Sequence, residues 1–505
     1  MKTQSKEVFR KYMSAESFEG LKDFCSVAEM WEYCAKEYKD RIAIEDNSVQ
    51  YTFAKLEEDA AGLRALLKLP AGSRVGILAG NSYEFVKAYI AITTLGFTAV
   101  VLPVQLDETA VFGCSMKFGL AGMVYAPSPA IESKLSILRE KRPDLPIIAS
   151  NAESDSSLPV SKVSGDTPCV IMFTGGTTGK SKGALLSNKA VLEGTVNSCY
   201  GVKDVFYQRY LLVLPLSHVF GLIRNLMASL YTGSTMFICR NVMDMFRDVA
   251  AFKPTIIVLV PALAEMALML SKKYGKNMLG DDLKYIICGA APVAPYLIKE
   301  YDKYGIALCP GYGLTESANL VSGNPEYLNK PDSVGIPYPN QELKFVDGEL
   351  WLKGDNIMTG YVGEEEPSFT EDGWFRTGDL ARLDEDGFLY ITGRIKEIII
   401  LPNGENVSPA EVEAKFNELS FIQDSQVFAS KNENGAPILA LEVVPRLTEL
   451  TGVKPEEMKQ FVTEKLEEIN KTLPSFKRVS RITVRDADFL RTPSMKIVRY
   501  KNDQN

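Results

Sequence analysis

Between Phe173 and Gly183 the sequence concentrates groups that bind anions. Thr174, Thr177 and Thr178 carry hydroxyls, and Lys180 and Lys182 carry positive charge. Gly175, Gly176 and Gly179 let the backbone turn tightly and aim its N–H groups at one ligand. Together these donors suit a polyphosphate, although Gly/Thr/Ser clusters also make plain loops. A Walker A loop, G-x-x-x-x-G-K-[ST], fits poorly. Gly179-Lys180-Ser181 matches its end, but its first glycine falls on Thr174. Such a loop must also run straight into a helix N-terminus. Here Gly183-Ala184-Leu185-Leu186-Ser187 reads as a short strand, and helix signals begin only at Asn188, taken as an N-cap. The spacing therefore predicts a strand–loop–strand phosphate clamp.

The rest of the composition narrows the chemistry. The sequence has one histidine, His218, which excludes H-E-x-x-H metalloproteases and makes any Ser-His-Asp triad depend on that residue. A lone histidine in an apolar run also reads as a hydrogen-bonded core residue. Catalysis must otherwise run on carboxylates, lysines, hydroxyls and backbone. With 505 residues the chain has room for about three domain-sized units. A composition of 46% hydrophobic and 24% charged residues is that of a globular protein. The net charge of −8 argues against a general nucleic-acid partner. Met1 to Glu7 carries no secretory h-region, and the apolar run Thr255 to Leu270 is interrupted and too short to span a bilayer. Eight cysteines without C-x-x-C pairs read as reduced core residues, so the expected location is cytoplasmic.

The elements that must position these groups follow an alternating pattern. A helix is predicted from Val27 to Tyr38, then a strand pair at residues 42–44 and 49–52, and a helix from Phe53 to Leu67. Arg74-Leu78 and Ala99-Leu102 read as buried strands, separated by a helix N-capped by Asn81. The alternation continues through residues 210–214, 234–238, 256–260 and 285–288, which implies doubly wound parallel sheets. From about Glu342, short strands are punctuated by Asp-Gly and Lys-Gly turns and suggest a small antiparallel barrel or sheet. After Pro402-Asn403-Gly404 the order is helix–strand–strand–helix–strand, a separate α+β unit. The predicted fold is thus α/β, with a large N-terminal domain over 1–395 and a separate C-terminal domain over 396–505.

The stretch T-G-G-T-T-G-K-S-K-G resembles the T-S-G-T-T-G-x-P-K-G signature of the adenylate-forming superfamily, with Gly175 for Ser and Ser181 for Pro. Further matches follow in family order. Leu214-Pro215-Leu216-Ser217-His218 to Gly221 resembles the P-L-x-H-x-x-G pattern of acyl-CoA synthetases, which implies that His218, Val219, Phe220 and Gly289 line the acyl pocket. Val219 stands where amino-acid-adenylating relatives carry Asp, so the resemblance implies an acid without an α-amine. Gly289-Ala290-Ala291-Pro292 resembles the turn beside adenine, and Gly311-Tyr312-Gly313-Leu314-Thr315-Glu316 the next motif. In that motif Tyr312 is implied to lie against adenine, Thr315 to contact the α-phosphate, and Glu316 to hold Mg²⁺.

Gly373-Trp374-Phe375-Arg376-Thr377-Gly378-Asp379 resembles W-[FY]-x-T-G-D, with Asp379 implied to accept the ribose hydroxyls. Arg394 and Lys396 resemble the family's G-R-x-K-[DE] hinge, which implies a second ribose contact, a pivot, and a mobile domain over 396–505. Asn403 to Glu413 resembles the loop beside a pantetheine tunnel. Arg491-Thr492-Pro493-Ser494-Met495-Lys496 resembles R-T-x-S-G-K, with Met495 for Gly, and implies a catalytic role for Lys496 where a basic tail alone would read as solvated. The variants N-G-E-N-V-x-P and M-K-I-x-R look most like bacterial long-chain acyl-CoA ligases. The implied reactants are a small carboxylic acid, ATP with Mg²⁺, and CoA, with an acyl carrier protein as the alternative acceptor. Arg224, six residues past His218, reads either as a paired structural arginine or as a pocket-floor group that meets a distal carboxylate or polar group.

Overall fold

A computed structural model describes residues 5–174, 182–363, 369–401, 405–432, 437–491 and 497–499. Its centre is a set of strands too apolar to face water on either side. Thr98–Leu102, Ile256–Leu259 and Gly122–Tyr125 are buried at every position, as strands covered by helices on both faces must be. Among the described residues they belong to two large mixed sheets. One is nine-stranded, and its parallel middle runs in the order Ala307–Tyr312, Tyr285–Cys288, Ile256–Leu259, Arg209–Leu212, Thr235–Ile238, Ile42–Asp46. The other is seven-stranded, in the order Gly360–Val362, Gly183–Ser187, Pro168–Phe173, Thr98–Leu102, Arg74–Leu78, Gly122–Tyr125, Ile147–Ala149.

The strands from Pro168 to Ile147 in that order are parallel, whereas Gly183–Ser187 and Gly360–Val362 add antiparallel at the edge. The small β unit is a four-stranded antiparallel sheet over residues 341–394. Beyond Ile395–Glu397, a short 3₁₀ turn, the helices Pro409–Phe416 and Met458–Thr472 pack on a three-stranded sheet around a separate core that includes Phe416, Leu441 and Leu466. The result is mixed α/β, a large N-terminal part followed by a smaller C-terminal one.

Two helix starts differ from the sequence reading. Ser82, not Asn81, caps Tyr83–Thr93 by accepting from Phe85 N. Asn81 instead donates Nδ2 to the Leu214 carbonyl (3.0 Å) and accepts from Leu216 N (2.9 Å), tying the segment that leads into His218. Likewise Ser187 caps Asn188–Asn197, and Asn188 accepts from Val27 N at 3.0 Å. In both cases a serine one residue away makes the cap and the longer asparagine amide reaches a distant backbone. All eight cysteines are free, but Cys25 is exposed rather than a core residue, and Cys114 is half-buried. No helix of the described residues is long and apolar enough to cross a membrane.

Candidate active site

The strand–loop–strand predicted from spacing is a hairpin. Pro168–Phe173 pairs antiparallel with Gly183–Ser187, Phe173 opposite Gly183, and Thr174 N donates to the Lys182 carbonyl at 2.9 Å. The two ends of the loop are therefore pinned together, and no helix follows it directly. Gly175 to Gly179, with Lys180 and Ser181, lie outside the described residues. Gly183 needs its missing side chain, because a Cβ there would meet the Phe118 ring at 2.5 Å. Lys182 lines the cleft, with Nζ 4.8 Å from the centroid of the Tyr361 ring.

Tyr361 is a site residue that sequence reading did not find. It sits on the edge strand opposite Ala184, beside the clamp, and its hydroxyl donates to Glu316 Oε1. Glu316 belongs to the short turn Thr315–Ser317 and its carbonyl accepts from Met358 N at 2.8 Å. Strand pairing thus brings Lys182, Tyr361 and Glu316 together across almost two hundred residues of sequence.

Ahead of that turn, the strand Ala307–Tyr312 ends in Gly311 and Tyr312, and Gly313 follows it. Gly313 is obligatory here, because a Cβ would stand 1.5 Å from the Asn319 carbonyl oxygen. Tyr312 donates to Asp379 Oδ2 at 2.6 Å, and Arg394 Nε lies 2.7 Å from Asp379 Oδ1. Asp379 and Arg394 are direct cross-strand partners, which explains their alignment. Asp379 is buried, and its N–H donates to Thr377 Oγ1 at 3.0 Å. Burial, reinforced by the Asp379 charge, pushes the Tyr312 phenol far above its usual range and keeps it a proton donor. Burial lowers the Arg394 guanidinium, and its neighbours, Asp379 first and Glu397 among them, together raise it by more.

His218, Val219, Phe220, Arg224 and the turn Gly289 to Pro292 also line the cleft. His218 Nδ1 accepts from Phe220 N at 3.2 Å, at the start of the helical stretch Phe220–Met227. Its ring is half-buried and faces the cleft rather than closing inside the core. Ala290 adopts φ 66, a left-handed turn that an alanine tolerates at a cost. Thr174, Thr315, Ala291 and Pro292 line the same cleft. From the C-terminal part, Lys396 is exposed on the turn Ile395–Glu397 and also borders it. Lys496 and Asn403 lie outside the described residues; the flanking Arg491 and Ile497 form a bridge and line the cleft. The sequence reading also missed the contacts between the two parts. Arg446 ion-pairs with Glu265 and lies 4.3 Å over the Tyr296 ring, and Lys272 meets Glu449 at 2.6 Å.

Residues 31–362 match the family model described as AMP-binding enzyme, and residues 396–505 match the AMP-binding enzyme C-terminal domain. The chain is 30% identical to 4-coumarate–CoA ligase-like 6 of Arabidopsis thaliana over 461 residues, covering 81% of this chain and 78% of that protein. It is 28% identical to the 2-succinylbenzoate–CoA ligase of Bacillus velezensis, over 85% of this chain and 89% of that one. The o-succinylbenzoate CoA synthetase of Bacillus subtilis, solved with its acyl-adenylate intermediate, superposes with a TM-score of 0.74 at 25% identity, covering 95% of this chain and 98% of that chain.

Proposed function

We propose, for a chain that belongs to the AMP-binding enzyme family, an adenylate-forming CoA ligase that acts on a carboxylic acid without an α-amine. The observation that carries this reading is the meeting, in one cleft, of the pinned loop ending at Lys182, the Glu316–Tyr361 pair, the Tyr312–Asp379–Arg394 cluster and the His218 helix. Asp379, a buried carboxylate with several acceptor sites, takes the ribose hydroxyls of ATP beside Tyr312, whose ring lies against the base. The loop 174–182 holds the phosphates through backbone N–H groups, hydroxyls and Lys182.

The residues fit Mg²⁺. Glu316 is a hard oxygen donor beside the clamp, and no cluster of three or more His, Cys, Asp or Glu side chains that could hold a metal occurs among the described residues. Glu316 would supply a carboxylate ligand to that ion. When bound, the ion offsets charge on the departing pyrophosphate.

The acid's carboxylate attacks the α-phosphorus; the bond to the bridging oxygen breaks and pyrophosphate leaves with that electron pair, giving acyl-AMP. Lys496 and Thr315 hold the charge that builds on the α-phosphate oxygens, and loss of one such preorganised contact typically costs about 10²–10³ in rate. His218, Val219 and Phe220 position the acyl part. Val219 offers nothing to pair an ammonium, which supports a non-amino acid. The CoA thiol, as thiolate, then attacks the acyl carbon and AMP leaves.

The unit from 396 onward has its own core and an exposed turn at Lys396, which supports a swing about that residue between the two half-reactions. The test is pyrophosphate release with MgATP across fatty, aryl, dicarboxylic and amino acids, with CoA, with holo carrier protein and with neither. Acid-dependent release with a CoA thioester is expected. Thioester on carrier protein alone would reassign the acceptor, and release driven best by amino acids would overturn the reading of Val219.

A further inference from the structure

Arg224 is buried, with 2% of its surface exposed, yet it lines the cleft. It lies in Phe220–Met227, a π-helical stretch beginning two residues after His218. Such wide turns are uncommon and recur at functional sites. Gly221 allows this one, since a Cβ there would come within 2.3 Å of the Pro215 carbonyl oxygen. The local packing therefore presents Arg224 inward at a fixed place.

What surrounds the guanidinium does not neutralise it. Its Nε and Nη1 atoms find no hydrogen-bond partner among the described residues. Among the described residues, Tyr210, Tyr338, Cys199 and Cys309 feel its charge, Tyr210 also through a hydrogen bond with it. Burial pushes each of them up to about 12, with Arg224 pulling the other way, so all four are neutral at pH 7. Asn319, which also lines the cleft, has its Nδ2 donor without a partner among the described residues. A buried cation without a counter-charge is costly, and the same low dielectric makes it a strong receptor for an anion. The bare methyl end of a fatty chain would leave that cost in place.

We propose that Arg224 determines acid specificity, and that the preferred substrate carries a second carboxylate at the end remote from the reacting one. This deepens the ligase reading and rests on it. Arg224 pairs the distal carboxylate, bidentate geometry being open to a guanidinium and closed to an ammonium. Asn319 offers a further neutral donor to the same cleft.

The test compares matched acids, hexanoate with hexanedioate, octanoate with octanedioate and phenylpropanoate with its 4-carboxy analogue. Thioester and pyrophosphate are measured with the full chain, MgATP and CoA. The diacid is expected to lead in kcat/KM in at least one pair, by about 10²-fold. In Arg224→Leu that ratio falls by about 10²-fold, and Arg224→Lys recovers part of it. A ratio unchanged in Arg224→Leu, or a wild-type preference for the monoacid in every pair, overturns the assignment. Should Arg224→Leu fail to fold by circular dichroism, the wild-type ratio and Arg224→Lys decide alone. Turnover of monoacids only would leave the ligase standing and remove the role of Arg224. Pyrophosphate release with no acid at all would remove both.

Discussion

Tyr361 joins the clamp to the carboxylate opposite it, so its removal in two stages separates two interactions. Tyr361→Phe keeps the ring 4.8 Å from Lys182 Nζ and deletes the hydroxyl that donates to Glu316. A hydrogen bond to a charged group contributes about 1.5–3 kcal/mol, and at a half-buried position water returns part of that, so the lower end applies. At about 1.4 kcal/mol per decade, kcat/KM falls about tenfold. Tyr361→Leu also deletes the ring beneath the ammonium, worth about 0.5–1 kcal/mol at a partly exposed site. The combined loss is then about 30- to 60-fold.

The assay is acid-dependent ATP–pyrophosphate exchange without CoA, which reports the first half-reaction alone, run against Mg²⁺ concentration. Thermal melts of both variants confirm folding. A Phe variant within twofold of wild type, or a Leu variant no worse than Phe, would refute the idea that Tyr361 orients Glu316 and steadies Lys182.

Three further outcomes follow from the same geometry. Asp379→Asn, which removes the charge partner of Arg394 and weakens the acceptor of Tyr312, is expected to raise KM for ATP by about 10- to 100-fold, read from initial rates. Gly313→Ala places a methyl group against the Asn319 carbonyl and should cost about 1–3 kcal/mol in urea unfolding together with nucleotide affinity; a wild-type midpoint would contradict that turn. Desolvation alone would raise the Asp384 carboxyl, but Lys330, Phe388 N–H and Tyr390 hold it down at about 2. The folded value lies below the unfolded one, so its stabilisation is present above about pH 4 and is lost as pH falls toward 2. Asp384→Asn should therefore flatten the fall in unfolding free energy across that window.

Local spacing brought the strand–loop–strand over 168–187 into view, and motif resemblance pointed to the turn before Thr315 and to Asp379 and Arg394 singly, while the pairing of those two came from the sheet register. The alternating strands were legible because runs such as Ile256–Leu259 are apolar at every position. What stayed hidden depends on contacts distant in sequence. Tyr361 has no motif of its own, and its meaning comes from pairing with Ala184 across the sheet edge. Asn81 looked like a helix cap because asparagine favours that place, but Ser82 outcompeted it and freed the amide to fix Leu214 and Leu216. The Arg446–Glu265 pair joins two units whose docking no local pattern encodes. The charge environment of Arg224 was equally invisible, since its neighbours come from four separate stretches of chain.

The most direct test of the central claim is a rapid-quench measurement of the nucleotide products by mass spectrometry. With MgATP and a reactive acid but no CoA, the account predicts enzyme-bound acyl-AMP and one pyrophosphate per adenylate. Addition of CoA should then convert the adenylate to equal amounts of AMP and thioester. ADP and orthophosphate as the products, or thioester formed with no acyl-AMP detectable before CoA is added, would contradict it.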